Sequence, residues 1–114
     1  MNTIYGVDNS KAFSAKDVCN AIVECFTEAH REVLDEMIEF SDGATKEEFE
    51  RMKVINVKQM LSNFFREIGG DCDNPTKEEL LLVLDKLKNF SSNFRNQKVI
   101  NMHYNKLMKL VEKL

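Results

Sequence analysis

Three helix-start signals divide the chain, and they constrain its fold more than any other feature of the sequence. In each signal a hydroxyl residue is followed three positions later by an acid. This is the pattern of a capping box, in which side chains satisfy the free backbone N–H groups at a helix start. The three pairs are Ser14 with Asp17, Thr45 with Glu48, and Thr76 with Glu79. The sequence therefore predicts at least three helices.

The spacing of apolar residues after each start predicts where the helices run. The predicted ranges are Ala15 to about Phe40, Lys46 to about Ile68, Lys77 to about Phe90, and about Asn96 to Leu114. The last range is either a separate helix or the third helix continued beyond a kink. A broad apolar arc predicts that the second helix is central. The apolar run of residues 80–84 predicts deep burial of the third helix.

Composition supports the same fold class. The chain has 114 residues, 43% of them hydrophobic, with 4 Gly and 1 Pro. This is too apolar for a disordered chain and too poor in turn formers for a β protein. We therefore predict an all-α protein: an antiparallel bundle of three long helices plus a fourth, arranged as a four-helix up-and-down bundle.

Residues 14–114 are expected to form one domain, preceded by an N-terminal arm of residues 1–13. The arm is expected either to dock on the bundle through Ile4 and Tyr5 or to be flexible. Three cysteines without a C-x-x-C pair favour neither a disulfide framework nor a zinc site. With no apolar run long enough to cross a membrane and no signal-peptide pattern, we expect a cytoplasmic protein with no metal and no cofactor.

The two halves of the chain have opposite charge. Residues 1–50 hold 12 acids and 4 bases, a net charge of −8, whereas residues 51–114 hold 12 bases and 7 acids, a net charge of +5. The acidic first helix and the basic last helix are therefore expected to complement one another, either within the fold or across a two-fold dimer interface. The basic end also favours an alternative function in nucleic-acid binding. The candidate residues for that alternative are Arg95, Lys98, Lys106 and Lys109.

A short acidic element in the first predicted helix resembles part of an enzyme family. Asp35-Glu36-Met37-Ile38-Glu39 is similar to the D/E-E-x-x-E element of MazG-like nucleoside triphosphate pyrophosphatases, in which such acids hold magnesium. That resemblance implies a metal-dependent pyrophosphatase. The family completes its metal site with an E-x-x-D element on a later helix, and no such element follows Glu39.

A second resemblance lies near the carboxyl end. Arg95-Asn96 followed by His103 is similar to the R-N-x-x-x-x-H-like motif of HEPN-type ribonucleases, small all-α dimers in which Arg and His form an RNA-cleaving site. The resemblance implies catalytic roles for Arg95 and His103. The family has four to six residues between the two, whereas this chain has seven, which separates their side chains by about 80° around a helix.

No catalytic residue is assigned, and a non-enzymatic role is favoured. Glycine-rich phosphate loops and Glu-x-x-His pairs are absent from the sequence. We therefore predict a protein-interaction or oligomerisation module, with a homodimer or another protein as the partner. Its interface is expected at large apolar residues on the second and fourth helices. These residues are Met52, Ile55, Phe65 and Met102.

Overall fold

Four helices and one short β-hairpin make up the described part of the chain. The structure, a computed structural model, describes residues 3–31, 34 and 45–114. The helices are α1 (Ala15–Ala29), α2 (Lys46–Glu67), α3 (Lys77–Ser91) and α4 (Gln97–Glu112). Strands β1 (Thr3–Ile4) and β2 (Val7–Asp8) pair antiparallel. The predicted all-α fold, a four-helix bundle, is confirmed.

The helix starts lie where the capping residues predict them. Ser14 and Thr76 each form a complete capping box, in which the carboxylate of the third helical residue accepts a hydrogen bond from the backbone N–H of the cap residue. The Thr45 hydroxyl accepts a hydrogen bond from the backbone N–H of Glu48. Because capping depends on residues three positions apart, these boundaries can be read from sequence.

Successive helices run in opposite directions. Arg31, just after α1, bonds to Glu50 near the start of α2. At the opposite end of the bundle, Lys77 at the start of α3 donates to the carbonyl of Leu114, beyond the end of α4. Helix α1 packs against the other three helices, whereas α2 and α4 each pack mainly against α1 and α3. Helices α2 and α4 therefore lie at opposite corners.

The prediction that the second helix is central is wrong, because α1 has that place. Eight of the 15 residues of α1 are buried, compared with four of the 22 residues of α2. Two of the buried α1 residues, Ala21 and Cys25, are small and fully covered. Because these side chains are small, neighbouring helices can approach α1 on several sides. A helix with large apolar residues on one face packs against neighbours on that face only.

Two further predictions need correction. Helix α1 ends at Ala29, where His30 leaves helical geometry with φ −118 and ψ 26, and the predicted end at Phe40 lies outside the described residues. In α3, Leu81 and Leu82 are 40% and 54% exposed, so that helix buries only one face.

The third and fourth predicted helices are separate rather than one kinked helix. Asn96 adopts a left-handed conformation (φ 60) just before α4, which interrupts the helical backbone between α3 and α4.

The hairpin packs on the bundle through its apolar residues. Val7 is buried, and Ile4 and Tyr5 lie against the core. Its turn places Tyr5 and Gly6 at positive φ, 48 and 81, as a tight two-residue hairpin turn requires. The domain boundary between residues 13 and 14 stays a prediction. Among the described helices, none combines the length and the hydropathy needed to cross a membrane.

Candidate functional site

A cluster of three polar side chains is buried where α1, α3 and α4 meet. The Oγ atom of Ser91 lies 2.8 Å from Nε2 of His30 and 2.9 Å from the hydroxyl of Tyr104, and these two groups are 3.3 Å apart. All three residues are 3% exposed or less. The cluster joins three helices through one serine hydroxyl.

Counting protons in this cluster indicates the tautomer of His30. The Ser91 hydroxyl donates to the carbonyl of Leu87 at 2.8 Å, so its oxygen is left to accept. Nε2–H of His30 and the hydroxyl of Tyr104 then both donate to that oxygen, and every proton is used. The remaining ring nitrogen, Nδ1 of His30, is buried and has no hydrogen-bond partner among the described residues.

This cluster has the residue types of a nucleophilic site but not the access. Burial lowers the pKa of His30 to about 4, with a further contribution from nearby His103. Burial likewise raises the pKa of Tyr104 to about 12. His30 lies at the wall of a cleft, but Ser91, His30 and Tyr104 are only 1%, 2% and 3% exposed, so their polar atoms are covered by protein and face one another. We therefore interpret the cluster as a polar contact that fixes how three helices pack.

The residues of the ribonuclease resemblance lie in different surroundings. Nδ1 of His103 is hydrogen bonded to the Tyr5 hydroxyl of the hairpin, and the same hydroxyl lies against the Cys25 thiol. Arg95, in the loop before α4, instead lines a cleft of about 610 Å³ together with His30 and Phe94. His103 is not part of that cleft lining, so the structure does not bring the two motif residues to one site.

One group of potential metal ligands lies close together in the described part of the chain. The ligand atoms of Asp71, Cys72 and Asp73 are within 4.8 Å of one another, in the loop between α2 and α3. The ammonium group of Lys16 is already there, 3.0 Å from the carbonyl of Cys72 and 3.5 Å from the Asp73 carboxylate. Its positive charge opposes binding of a cation, so we assign no metal site.

The outward side of α4 is the most distinctive surface of the described residues. Lys98, Val99, Lys106 and Lys109 all lie within about 60° of Met102 around the helix axis, and all five residues are exposed. Val99 and Met102 are 45% and 48% exposed. None of the three lysines has an ion-pair partner among the described residues. We call these five residues the α4 face.

The four predicted interface residues do not form one patch. Met52 and Ile55 are exposed on α2, by 39% and 61%, whereas Met102 lies on α4 at the opposite corner of the bundle. Phe65 is 1% exposed and belongs to the core, so placing it at an interface is wrong. Its position on the apolar arc reflected contact with neighbouring helices of the same chain.

The nucleic-acid candidates are closer together. Lys98, Lys106 and Lys109 belong to the α4 face, and exposed Arg95 lies in the loop just before it. The expected pairing of acidic α1 with basic α4 inside the fold is not found: the two helices pack together, but no ion pair between described residues joins them. The carboxylates Asp35, Glu36 and Glu39 of the pyrophosphatase resemblance lie outside the described residues.

Sequence reasoning missed the role of His30, although a signal was present. His30 follows Phe26 by four positions and Ile22 by eight, which places it on the buried stripe of α1.

Comparison with known protein families, with curated proteins and with solved structures finds no match to this chain.

Proposed function

We propose that this protein is a non-enzymatic interaction module, and that it binds an acidic, amphipathic helix of a protein partner through the α4 face. The observation that carries the proposal is the arrangement of three exposed lysines around two exposed apolar residues, Val99 and Met102. Exposed apolar side chains rimmed by charge are typical of protein-binding surfaces.

The length of the α4 face suits a helical partner. From Lys98 to Lys109 the face extends about 16 Å, or three helical turns. A partner helix with apolar residues three and four positions apart would cover Val99 and Met102, and flanking acids would meet the lysines. The lysines add rate and selectivity for an acidic partner, while the apolar contact supplies most of the affinity.

Nucleic acid is the second class of partner that these cations would suit. The middle of the α4 face argues against it, because Val99 and Met102 lie where a phosphate-tracking surface would carry further cations or stacking aromatic side chains. Phe94, the nearest aromatic residue in sequence before α4, is half-buried and packs edge-on against His30 and Phe90. The exposed apolar pair therefore favours a protein partner.

Fluorescence anisotropy with labelled probes of equal charge tests the proposal. One probe is a helical peptide with leucines on one side and glutamates on the other, the second is polyglutamate, and the third is single-stranded RNA. We expect the amphipathic peptide to bind most tightly. The variant Met102→Asp and the pair Lys98→Glu with Lys106→Glu should each weaken it about tenfold or more, since each removes a central contact.

Lys88→Glu is the matched control, because Lys88 is also an exposed lysine but lies on α3 outside the α4 face. That variant should bind the peptide like the unmodified protein. Preference for RNA, with affinity falling steeply as salt rises, would replace the proposal with nucleic-acid binding. Equal binding of polyglutamate and amphipathic peptide would show that Val99 and Met102 are not part of the interface.

A further inference from the structure

The α4 face lies beside an acidic surface of α1, and the hairpin lies between the two. The Tyr5 hydroxyl reaches His103 on α4, while the backbone of Gly6 lies against the Glu24 carboxylate on α1, so close that a Cβ atom there would be 3.3 Å from it. On α1, Glu24 and Glu28 are both exposed. One edge of the bundle thus carries acids on one side of the hairpin and bases on the other.

The acids of α1 and the lysines of α4 also lie at similar positions along the bundle axis. Helices α1 and α4 run antiparallel, and the Tyr5 hydroxyl lies against both Cys25 and His103, which puts those two residues at one level. Counting at about 1.5 Å per residue in opposite directions, Glu24 comes level with Tyr104, about 3 Å along the axis from Lys106. Glu28 comes within about one helical turn of Lys98.

From this arrangement we propose that the partner of the α4 face is a second copy of the chain, bound across a two-fold axis parallel to α1 and α4. Rotation by 180° about such an axis leaves each residue at the same position along the bundle axis and interchanges the places of α1 and α4. Helix α4 of each copy therefore faces α1 of the other. Glu24 then meets Lys106 of the second copy, and Glu28 meets Lys98 of the second copy. This inference rests on the proposed use of the α4 face as a binding surface. The occupant it names is the acidic outer side of α1 in a second copy, since the apolar side of α1 is buried in its own bundle.

Charge complementarity and symmetry both favour this occupant. A two-fold interface uses the same patch twice, so a patch whose two halves have opposite charge is complementary to itself. Within one chain, Glu28 is shared with Arg31 at 2.6 Å, and no described ion pair reaches across to α4. Val99 and Met102, on the α4 side of the hairpin, are exposed and in this dimer would supply the apolar part of the contact.

Charge reversal on each half of the patch gives a sharp test by sedimentation equilibrium. The basic-to-acidic variant (Lys98→Glu with Lys106→Glu) and the acidic-to-basic variant (Glu24→Lys with Glu28→Lys) should each weaken the dimer about tenfold or more, because like charges then face each other. An equimolar mixture of the two variants should associate, because every facing pair is again opposite in sign. The chain with all four reversals should dimerise with itself.

Lys88→Glu and Asp85→Lys serve as controls, since both residues are exposed on α3 away from the patch, and both variants should dimerise normally. Association of the mixed variants also shows that the reversed chains fold. The proposal is overturned if the unmodified protein stays monomeric, or if the mixture does not associate. Should the monomer still bind the amphipathic peptide through Met102, the proposed function stands and only the identity of the partner is wrong.

Discussion

Lowering the pH from 7 to 5 should destabilise the protein through His30. The pKa of this histidine is about 4 in the fold, because burial disfavours its charged form, against an ordinary value of 6.5. The folded pKa is depressed, so the unfolded chain binds the proton more readily. Full stability is therefore present above pH 6.5 and is lost as the pH falls toward 4.

The magnitude follows from these two values. One pKa unit corresponds to about 1.4 kcal/mol, so the full loss is about 3 kcal/mol, of which about 2 kcal/mol has accumulated at pH 5. For a domain whose free energy of unfolding is about 5–15 kcal/mol, such a loss is readily measured. The partly exposed carboxylate of Glu50 acts at lower pH: hydrogen bonds from Lys53 and Arg31 hold its pKa below the ordinary value of 4.5, so its contribution to stability is lost only as the pH falls below about 5.

Urea unfolding at pH 7, 6 and 5 measures this loss directly. The variant His30→Gln retains a donor toward Ser91 but does not titrate. It should be less stable at pH 7, because the ring packs 4.3 Å from Phe26, yet lose much less stability between pH 7 and pH 5. His103→Gln is the matched comparison: burial also lowers the pKa of His103, so this variant shows how much of the pH effect belongs to the second histidine.

An equal loss of stability in His30→Gln and in the unmodified protein would refute the reasoning. It would mean that His30 is not the group whose protonation opposes folding. A His30 imidazole that titrates near pH 6.5 in the folded protein, followed by its NMR chemical shift, would refute the burial argument itself.

Four further substitutions test the packing. Phe65→Ala should lower the free energy of unfolding by about 3–5 kcal/mol, as loss of a buried ring does, whereas Ile55→Ala, at an exposed position, should change it by less than about 0.5 kcal/mol; urea unfolding compares the two. Ser91→Ala should cost about 1–3 kcal/mol by the same assay, because its hydroxyl serves two buried partners. Tyr5→Phe should speed amide exchange in residues 3–8 and protease cleavage before Phe13 while the helices stay protected; unchanged exchange would mean that apolar contacts alone hold the hairpin.

Local patterns predicted the helices because the interactions that start a helix are local. Thr76 and Glu79 are three residues apart, and the start of α3 follows from them without knowledge of the rest of the chain. Long-range contacts are different. The hydrogen bond between Ser91 and His30 joins residues 61 positions apart. The sequence pattern around either residue does not predict that the other is its partner.

The error at Phe65 has the same origin. A broad apolar arc on a helix says that several neighbours cover it, but it does not say whether those neighbours belong to the same chain. In α2 the neighbours are α1 and α3, so the ring is covered within one molecule. Burial distinguishes the two cases: Phe65 is 1% exposed, whereas Met102 is 48% exposed.

The charge asymmetry of the chain follows the same logic. From the sequence, acidic α1 and basic α4 could complement one another either within the fold or between two molecules. In the fold α1 and α4 are neighbours, yet the residues between them, such as Ile22 and Leu107, are apolar and buried, so the charges are kept on the outer surface. Charges of both signs at one height on one edge complement a second molecule turned by a half rotation. In the proposed dimer, the packing that keeps these charges apart within a chain presents them together to the second copy.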